Sequence, residues 1–305
     1  MENEFLQEFE LETGSTKKQI IAGLRTGDFA FQSSAQQPLT LCLHGWLDNA
    51  ASFTPLLAHW PSQRHLAALD FPGHGRSFHR SEGAWYYFTE YVADLVALFE
   101  HHDLQHVHLV GHSMGGFVGQ VVAAVVPERV ARLTLIEAFG LWVKRDGEWV
   151  TQLKNALTER RKLAQKRPPV YSDKERLIRL RAETSNLNPD LARFIVERNL
   201  REVPGGYTWT VDPRVRLPSL FRFSASHAHE LLSTIRCPVD VVLGDCGTPE
   251  ILQALDAWGA TVAQKTVYTL KGGHHVHMEQ PEEVVRILTG NAQMGGSVLG
   301  STGPI

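Results

Sequence analysis

Short, continuous apolar runs alternate with turn signals along the first third of the chain, the pattern of strands buried on both faces of a sheet. Residues 39–43 form one such run, which ends in His44-Gly45-Trp46. Residues 65–69 form a second, ending in Asp70-Phe71-Pro72-Gly73-His74-Gly75-Arg76-Ser77, and residues 107–110 a third, leading into Gly111-His112-Ser113-Met114-Gly115-Gly116. Residues 117–126 then read as a buried helix stopped by Pro127. Between the second and third runs, Tyr91, Val92, Leu95, Val96, Leu98 and Phe99 recur with helical spacing, predicting a helix over 88–101. A strand at 133–136 continues the series. It resumes far downstream with a strand at 239–243, a helix at 249–258, a strand at 266–270 and a helix at 281–288. Strands alternating with helices predict an α/β fold, a mostly parallel sheet covered by helices on both faces.

The interruption at 141–235 differs in character. Its Leu, Ile, Arg and Glu content favours helices, punctuated by Pro168-Pro169, Pro189 and Pro204-Gly205-Gly206. The reading is a core built from residues 1–140 and 236–290, with a helical cap inserted between two of its strands. Residues 291–305, with Gly295-Gly296-Ser297 and Ser301-Thr302-Gly303, hold few apolar anchors and read as a flexible tail.

Composition narrows the function class. With 43% hydrophobic and 21% charged residues the chain can bury a sizeable core, and a net charge of −3 supplies no basic field for nucleic acid. The charge is unevenly spread: residues 144–201 hold 15 of the 30 Lys and Arg against 8 of the 33 Asp and Glu. That basic cap is either a set of solvated, partly paired helix faces or a lure for anionic substrates. Cys42, Cys237 and Cys246 form no C-x-x-C pair, and no apolar run is long enough for a signal segment or membrane span, so the expected location is cytoplasmic.

Gly111-His112-Ser113-Met114-Gly115 fits G-x-S-x-G between a predicted strand and a predicted helix, the context of a nucleophile elbow. Together with His44-Gly45-Trp46, the Asp70 to Ser77 turn, and Gly273-His274 followed by Glu279-x-Pro281, it resembles the α/β-hydrolase fold family, more narrowly a serine-hydrolase-like branch with a helical lid. The resemblance runs from about Gln19 to Leu288 and is weakest in the cap.

It implies Ser113 as nucleophile and His274, five residues before Glu279, as its base, leaving His275 and His277 as loop or pocket-rim residues. The backbone amides of Trp46 and Met114 would form the oxyanion hole, with the Trp46 side chain shaping the pocket floor. The turn from Asp70 to Ser77 is structural in the family. His101, His102, His106 and His108 read as a solvated cluster.

The orienting acid departs from the common pattern, because Gly247 stands where the family usually has it. Asp245 is two residues early. Glu137, ending the apolar strand after the nucleophile helix, occupies the place used by some haloalkane-dehalogenase-like members, and an unpaired carboxylate there would be costly. Glu137 is favoured and Asp245 remains the alternative.

No cofactor motif appears. No Cys, Asp or Glu set is spaced around His274-His275-x-His277, so no metal site is expected. A serine nucleophile forms an acyl-enzyme, so the expected reaction is hydrolysis of a small carboxylic ester or thioester. A C–C hydrolase, a perhydrolase, or a small-molecule receptor on a hydrolase scaffold are the alternatives. Oligomeric state is left open.

Overall fold

The structure is a computed structural model describing residues 6–14, 19–143, 147–163 and 169–291. The expected tail, apart from Asn291, lies outside the described residues.

The chain opens with two strands that the apolar pattern does not reveal, β1 (Leu6–Glu12) and β2 (Ile20–Thr26). There follow β3 (Leu39–Leu43), α1 (Thr54–Leu57), β4 (His65–Leu69), α2 (Phe88–His101), β5 (Val107–His112), α3 (Met114–Val125) and β6 (Val130–Ile136). The insertion holds α4 (Trp149–Leu163), α5 (Lys174–Ser185), α6 (Pro189–Arg198), the hairpin β7 (Leu200–Val203) and β8 (Gly206–Trp209), and α7 (Ala225–Thr234). The core resumes with β9 (Val239–Gly244), α8 (Pro249–Trp258), β10 (Lys265–Leu270), α9 (Val276–Glu279) and α10 (Pro281–Thr289). The insertion is therefore not purely helical.

Eight strands form one sheet in the order β1-β2-β4-β3-β5-β6-β9-β10, parallel from β4 to β10 and antiparallel at the β1–β2 end. The parallel centre explains the continuous apolar runs. Every residue of β3 and of β5 is buried because helices cover both faces. One face packs α2, α3, α7 and α8 through Leu95, Val118, Leu232 and Ile251, and the other packs α1, α9 and α10 through Leu56, Val276 and Val284. Parallel pairing also brings the C-terminal ends of β3, β5, β6, β9 and β10 to one edge, where ligands of open α/β sheets bind.

The inserted elements have their own apolar cluster, Leu177, Ile178, Ala192, Ile195 and Val196, which takes in Met278 of α9. Polar links fix them to the core. Arg198 of α6 donates to both oxygens of fully buried Asp70 at 3.0 and 3.1 Å and to Glu8 at 2.6 Å. Asp70 also accepts the amides of Ala50 and Arg76, and Ser77 Oγ donates to the Asp70 carbonyl, so the Asp70 to Ser77 turn is a structural joint. Asn49 Nδ2 donates to the Ile195 carbonyl and the Trp46 indole donates to the Val215 carbonyl.

Candidate active site

Ser113 sits at the sharp turn between β5 and α3 with φ 49° and ψ −116°, a left-handed conformation that costs a non-glycine residue about 1–3 kcal/mol. Its amide donates to the Ile136 carbonyl at 2.9 Å, anchoring the turn to β6. The turn must also run close to β3: a Cβ on Gly115 would meet the Leu43 carbonyl oxygen at 2.1 Å, so only glycine fits. Met114 opens α3, where backbone N–H groups lack partners within the helix, and the turn holding Trp46 follows the adjacent strand β3. Beside it, His44 donates from Nδ1 to the Gly45 carbonyl and accepts the Phe71 amide on Nε2, which makes it a neutral brace. Burial pulls its pKa down to about 4.

Glu137 immediately follows β6, also with positive φ, and is 1% exposed. Its Oε1 accepts the Gly244 amide at 2.9 Å, its Oε2 accepts the Thr248 amide at 2.8 Å, and Oε2 lies 3.4 Å from His274 Nδ1. Burial pushes this carboxyl up, but the His274 contact and the two amides outweigh it and hold the group below the usual glutamate range. Gly247 is the other half of this arrangement. A Cβ there would stand 2.1 Å from Glu137 Oε1, so the glycine in the usual acid position is the space that the Glu137 carboxylate fills.

Asp245 goes elsewhere: it is exposed, and its Oδ1 accepts the Gly272 amide. The structure thus brings Glu137, not Asp245, to the His274 ring. Thr248, which the sequence reading passed over, stands nearer still, with Oγ1 2.9 Å from His274 Nδ1. His274 is half-buried, and its carbonyl accepts from Nε2 of His112, the residue before Ser113, at 2.8 Å.

These elements order strand ends, a serine elbow and a buried carboxylate–histidine contact in one sheet edge, and a sequence model of the alpha/beta hydrolase family matches residues 40–287. The chain belongs to the α/β-hydrolase family. Relatives of this chain include the serine hydrolase-like protein of Danio rerio, 29% identical over 259 residues that cover 82% of this chain and 79% of that protein. A probable serine hydrolase of Drosophila melanogaster is 30% identical over 264 residues, 83% of this chain and 80% of that one. Among solved structures, a hypothetical protein from Pseudomonas aeruginosa PAO1 superposes with a TM-score of 0.81 at 32% identity, covering 93% of this chain and 98% of its own. The thioesterase domain from the curacin biosynthetic pathway superposes with a TM-score of 0.77 at 25% identity, over 93% and 99% of the two chains.

Several expectations for this α/β-hydrolase need correction. The Trp46 side chain is 53% exposed and donates its indole N–H to the Val215 carbonyl, so it stands at the surface rather than as a pocket floor. His275 and His277 are buried beneath the loop rather than on its rim, because the chain turns inward into α9. His108 is not solvated. It lies within β5, covered on both faces, and its Nε2 contacts Thr134 Oγ1 at 2.8 Å, while burial pulls its pKa down to about 3.

The burial of His275 also assembles a cluster that sequence spacing cannot show. Asp48, His112 and His275 are all buried, with possible ligand atoms within 4.8 Å of one another.

Many basic side chains of the insertion are engaged: Lys174 with Glu197, Arg193 with Glu175, Arg181 with Asp48, and Arg160 over the Trp85 ring. A cleft of about 870 Å³ beside the insertion is lined by Arg76, Arg201, Arg216, Tyr171 and Trp209. Neither Ser113 nor His274 lines it, so its size alone does not mark the chemistry. Among the described residues no helix is long and apolar enough to cross a membrane.

Proposed function

We infer that this chain is a serine hydrolase that cleaves a small carboxylic ester or thioester through an acyl-enzyme. Ser113 attacks the carbonyl carbon while His274 takes the hydroxyl proton on Nε2, and the backbone amides of Trp46 and Met114 hold the oxyanion. His274 then returns the proton to the leaving alcohol or thiol. Water, activated by the same ring, attacks the acyl-enzyme and restores Ser113. Glu137 keeps the Nδ1–H tautomer and compensates the imidazolium that forms, with Thr248 Oγ1 beside the same N–H.

The observation that carries this reading is the Glu137 carboxylate, nearly inaccessible yet satisfied by two amides and directed at His274. A buried charge so supplied is suited to orienting an imidazole and stabilising its charged form. The thioesterase domain among the structural neighbours supports keeping thioesters in the substrate class. The inserted segment, 141–235, serves in this reading as a lid that selects the acyl group. Its many paired basic side chains favour the solvated-face explanation of its charge. Cys42, Cys237 and Cys246 are free thiols, which suits a cytoplasmic setting.

A fluorophosphonate probe followed by peptide mapping tests the nucleophile, and a panel of p-nitrophenyl esters and acyl thioesters of graded length tests the substrate class. Labelling at Ser113 with turnover that depends on acyl length is expected. Binding of such compounds without labelling or turnover would replace this reading by a receptor.

A further inference from the structure

Next to His274, two loops and the end of a strand place Asp48, His112 and His275 together. Asp48 follows β3, His112 ends β5, and His275 precedes α9. All three are buried and their ligand atoms lie within 4.8 Å of one another, a set that closes by a few tenths of an ångström around an ion; Asp48 Oδ2 to His275 Nε2 is 3.2 Å and Asp48 Oδ2 to His112 Nδ1 is 3.4 Å. Two ligands of a tetrahedral zinc ion, each bonded at about 2.0–2.1 Å, are separated by about 3.4 Å.

Proton placement argues in the same direction. The His274 carbonyl can only accept, so the 2.8 Å contact from His112 requires the proton on His112 Nε2. With that proton on Nε2, the neutral ring's Nδ1 faces a carboxylate oxygen 3.4 Å away, and it makes no hydrogen bond among the described residues. Two electron-rich atoms facing each other in a buried site are reconciled by a cation between them. A ligating histidine that donates its other N–H to a backbone carbonyl is also the usual support for a metal-bound imidazole. His275 Nδ1 is likewise buried without a partner, so a shift of its proton from Nε2 to Nδ1 frees Nε2 as a ligand. His277, fully buried with both ring nitrogens unpartnered and its ring 4.4 Å from that of His112, stands nearby as a further imidazole.

We propose that Asp48, His112 and His275 bind a single transition-metal dication of the zinc class, which ties two loops to the end of β5 beside the His274 backbone. Arg181 already holds Asp48 through Oδ1, leaving Oδ2 for the ion. The guanidinium competes electrostatically with the ion but does not forbid it, since catalytic zinc sites with three neutral histidines also carry an uncompensated double charge. The site is separate from the Ser113 chemistry and does not depend on it.

The test uses the full chain, stripped with a chelator and then titrated with Zn²⁺ by calorimetry and with Co²⁺ by visible absorption. One ion per chain is expected, with Kd below about 1 µM, and a Co²⁺ spectrum of low coordination number. His275→Gln and Asp48→Asn should each weaken binding by about 100-fold or more. Arg181→Met should tighten it, an outcome that a purely structural Asp48–Arg181 pair would not give. X-ray absorption of the zinc-loaded wild type, showing imidazole scattering, decides the matter if a variant fails to fold. Three results overturn the proposal: no stoichiometric binding to the wild type, weaker binding in Arg181→Met, or binding lost in His274→Gln but kept in His275→Gln, which would put the ion at the half-buried His274 ring instead.

Discussion

Two buried carboxylates meet the loop that carries His274, one at His274 and one at His275, and their surroundings differ in kind. Glu137 meets the ring: each of its oxygens accepts a backbone amide, and His274 Nδ1 lies on the same side. Asp48 meets the backbone of the same loop, through His275 and through His112, whose far nitrogen holds the His274 carbonyl. Around Glu137 each carboxylate oxygen has a donor, whereas around Asp48 imidazole nitrogens of His112, His275 and His277 are left without hydrogen bonds among the described residues. A satisfied carboxylate in a dry site has one stable protonation state and suits a repeated proton transfer at the ring it faces. The cluster around Asp48 leaves buried ring nitrogens free to take a ligand.

The largest effect expected on the Glu137 side comes from the atom it ultimately serves. Ser113→Ala should lower kcat by a factor on the order of 10^4 or more, read from steady-state hydrolysis of the best p-nitrophenyl ester. Near-normal turnover in that variant would detach Glu137 and His274 from any role in ester cleavage.

Next in size is Gly247→Ala. The added methyl would overlap the Glu137 carboxylate, so a loss of about 10- to 100-fold in kcat is expected, with the fold retained by circular dichroism, because a catalytic group displaced by about an ångström costs that much. An unchanged kcat would show that the carboxylate position is not what Gly247 protects.

Thr248→Val removes the hydroxyl beside His274 Nδ1 but leaves the Thr248 amide on Glu137. About a tenfold loss in kcat with little change in KM is expected, the cost of one hydrogen bond. A loss as large as that of the Glu137 variant would transfer the orienting role to the threonine.

The smallest effect concerns stability at the opposite end of β5. His108 is held neutral with a pKa of about 3, whereas in the unfolded chain a histidine titrates near 6.5. Between those values the unfolded chain takes up a proton that the native state does not, so this share of stability is complete above about pH 6.5 and fades as the pH falls. By pH 5 the loss amounts to about 2 kcal/mol. His108→Gln should therefore shrink the fall in Tm between pH 7.5 and 5 by a few degrees, measured by thermal unfolding. An equal fall in both proteins would remove His108 from the acid response.

What the sequence showed of this architecture follows from how each part is stabilised. The parallel strands were legible because burial on both faces requires unbroken apolar runs, as in Leu39–Leu43. Ser113 was legible because an elbow demands small neighbours, and Glu137 because a carboxylate ending an apolar strand needs a reason. β1 was missed: as an edge strand it buries only Phe9 and alternates with Glu8, Glu10 and Glu12, which reads as a polar segment. The β7–β8 hairpin was hidden among helix-forming residues, since its four-residue strands are too short to show a period. His108 was grouped with His101, His102 and His106 by proximity in the chain, although the strand carries it inward. Thr248 reaches His274 from 26 residues away and Asp48 reaches His275 from 227, and no local spacing connects residues that only the closing of the sheet brings together.

The central claim, that the carboxylate serving His274 comes from the end of β6 rather than from the loop after β9, is tested most directly by one comparison of kcat/KM. Glu137→Gln and Asp245→Asn are measured side by side with the wild type on the same ester, with folding checked by circular dichroism. Glu137→Gln should lose about 10^2- to 10^4-fold, as expected for an imidazole deprived of its orienting acid, and Asp245→Asn should stay within about threefold of the wild type, as for an exposed side chain outside the site. A large loss in Asp245→Asn with Glu137→Gln near normal would contradict the account.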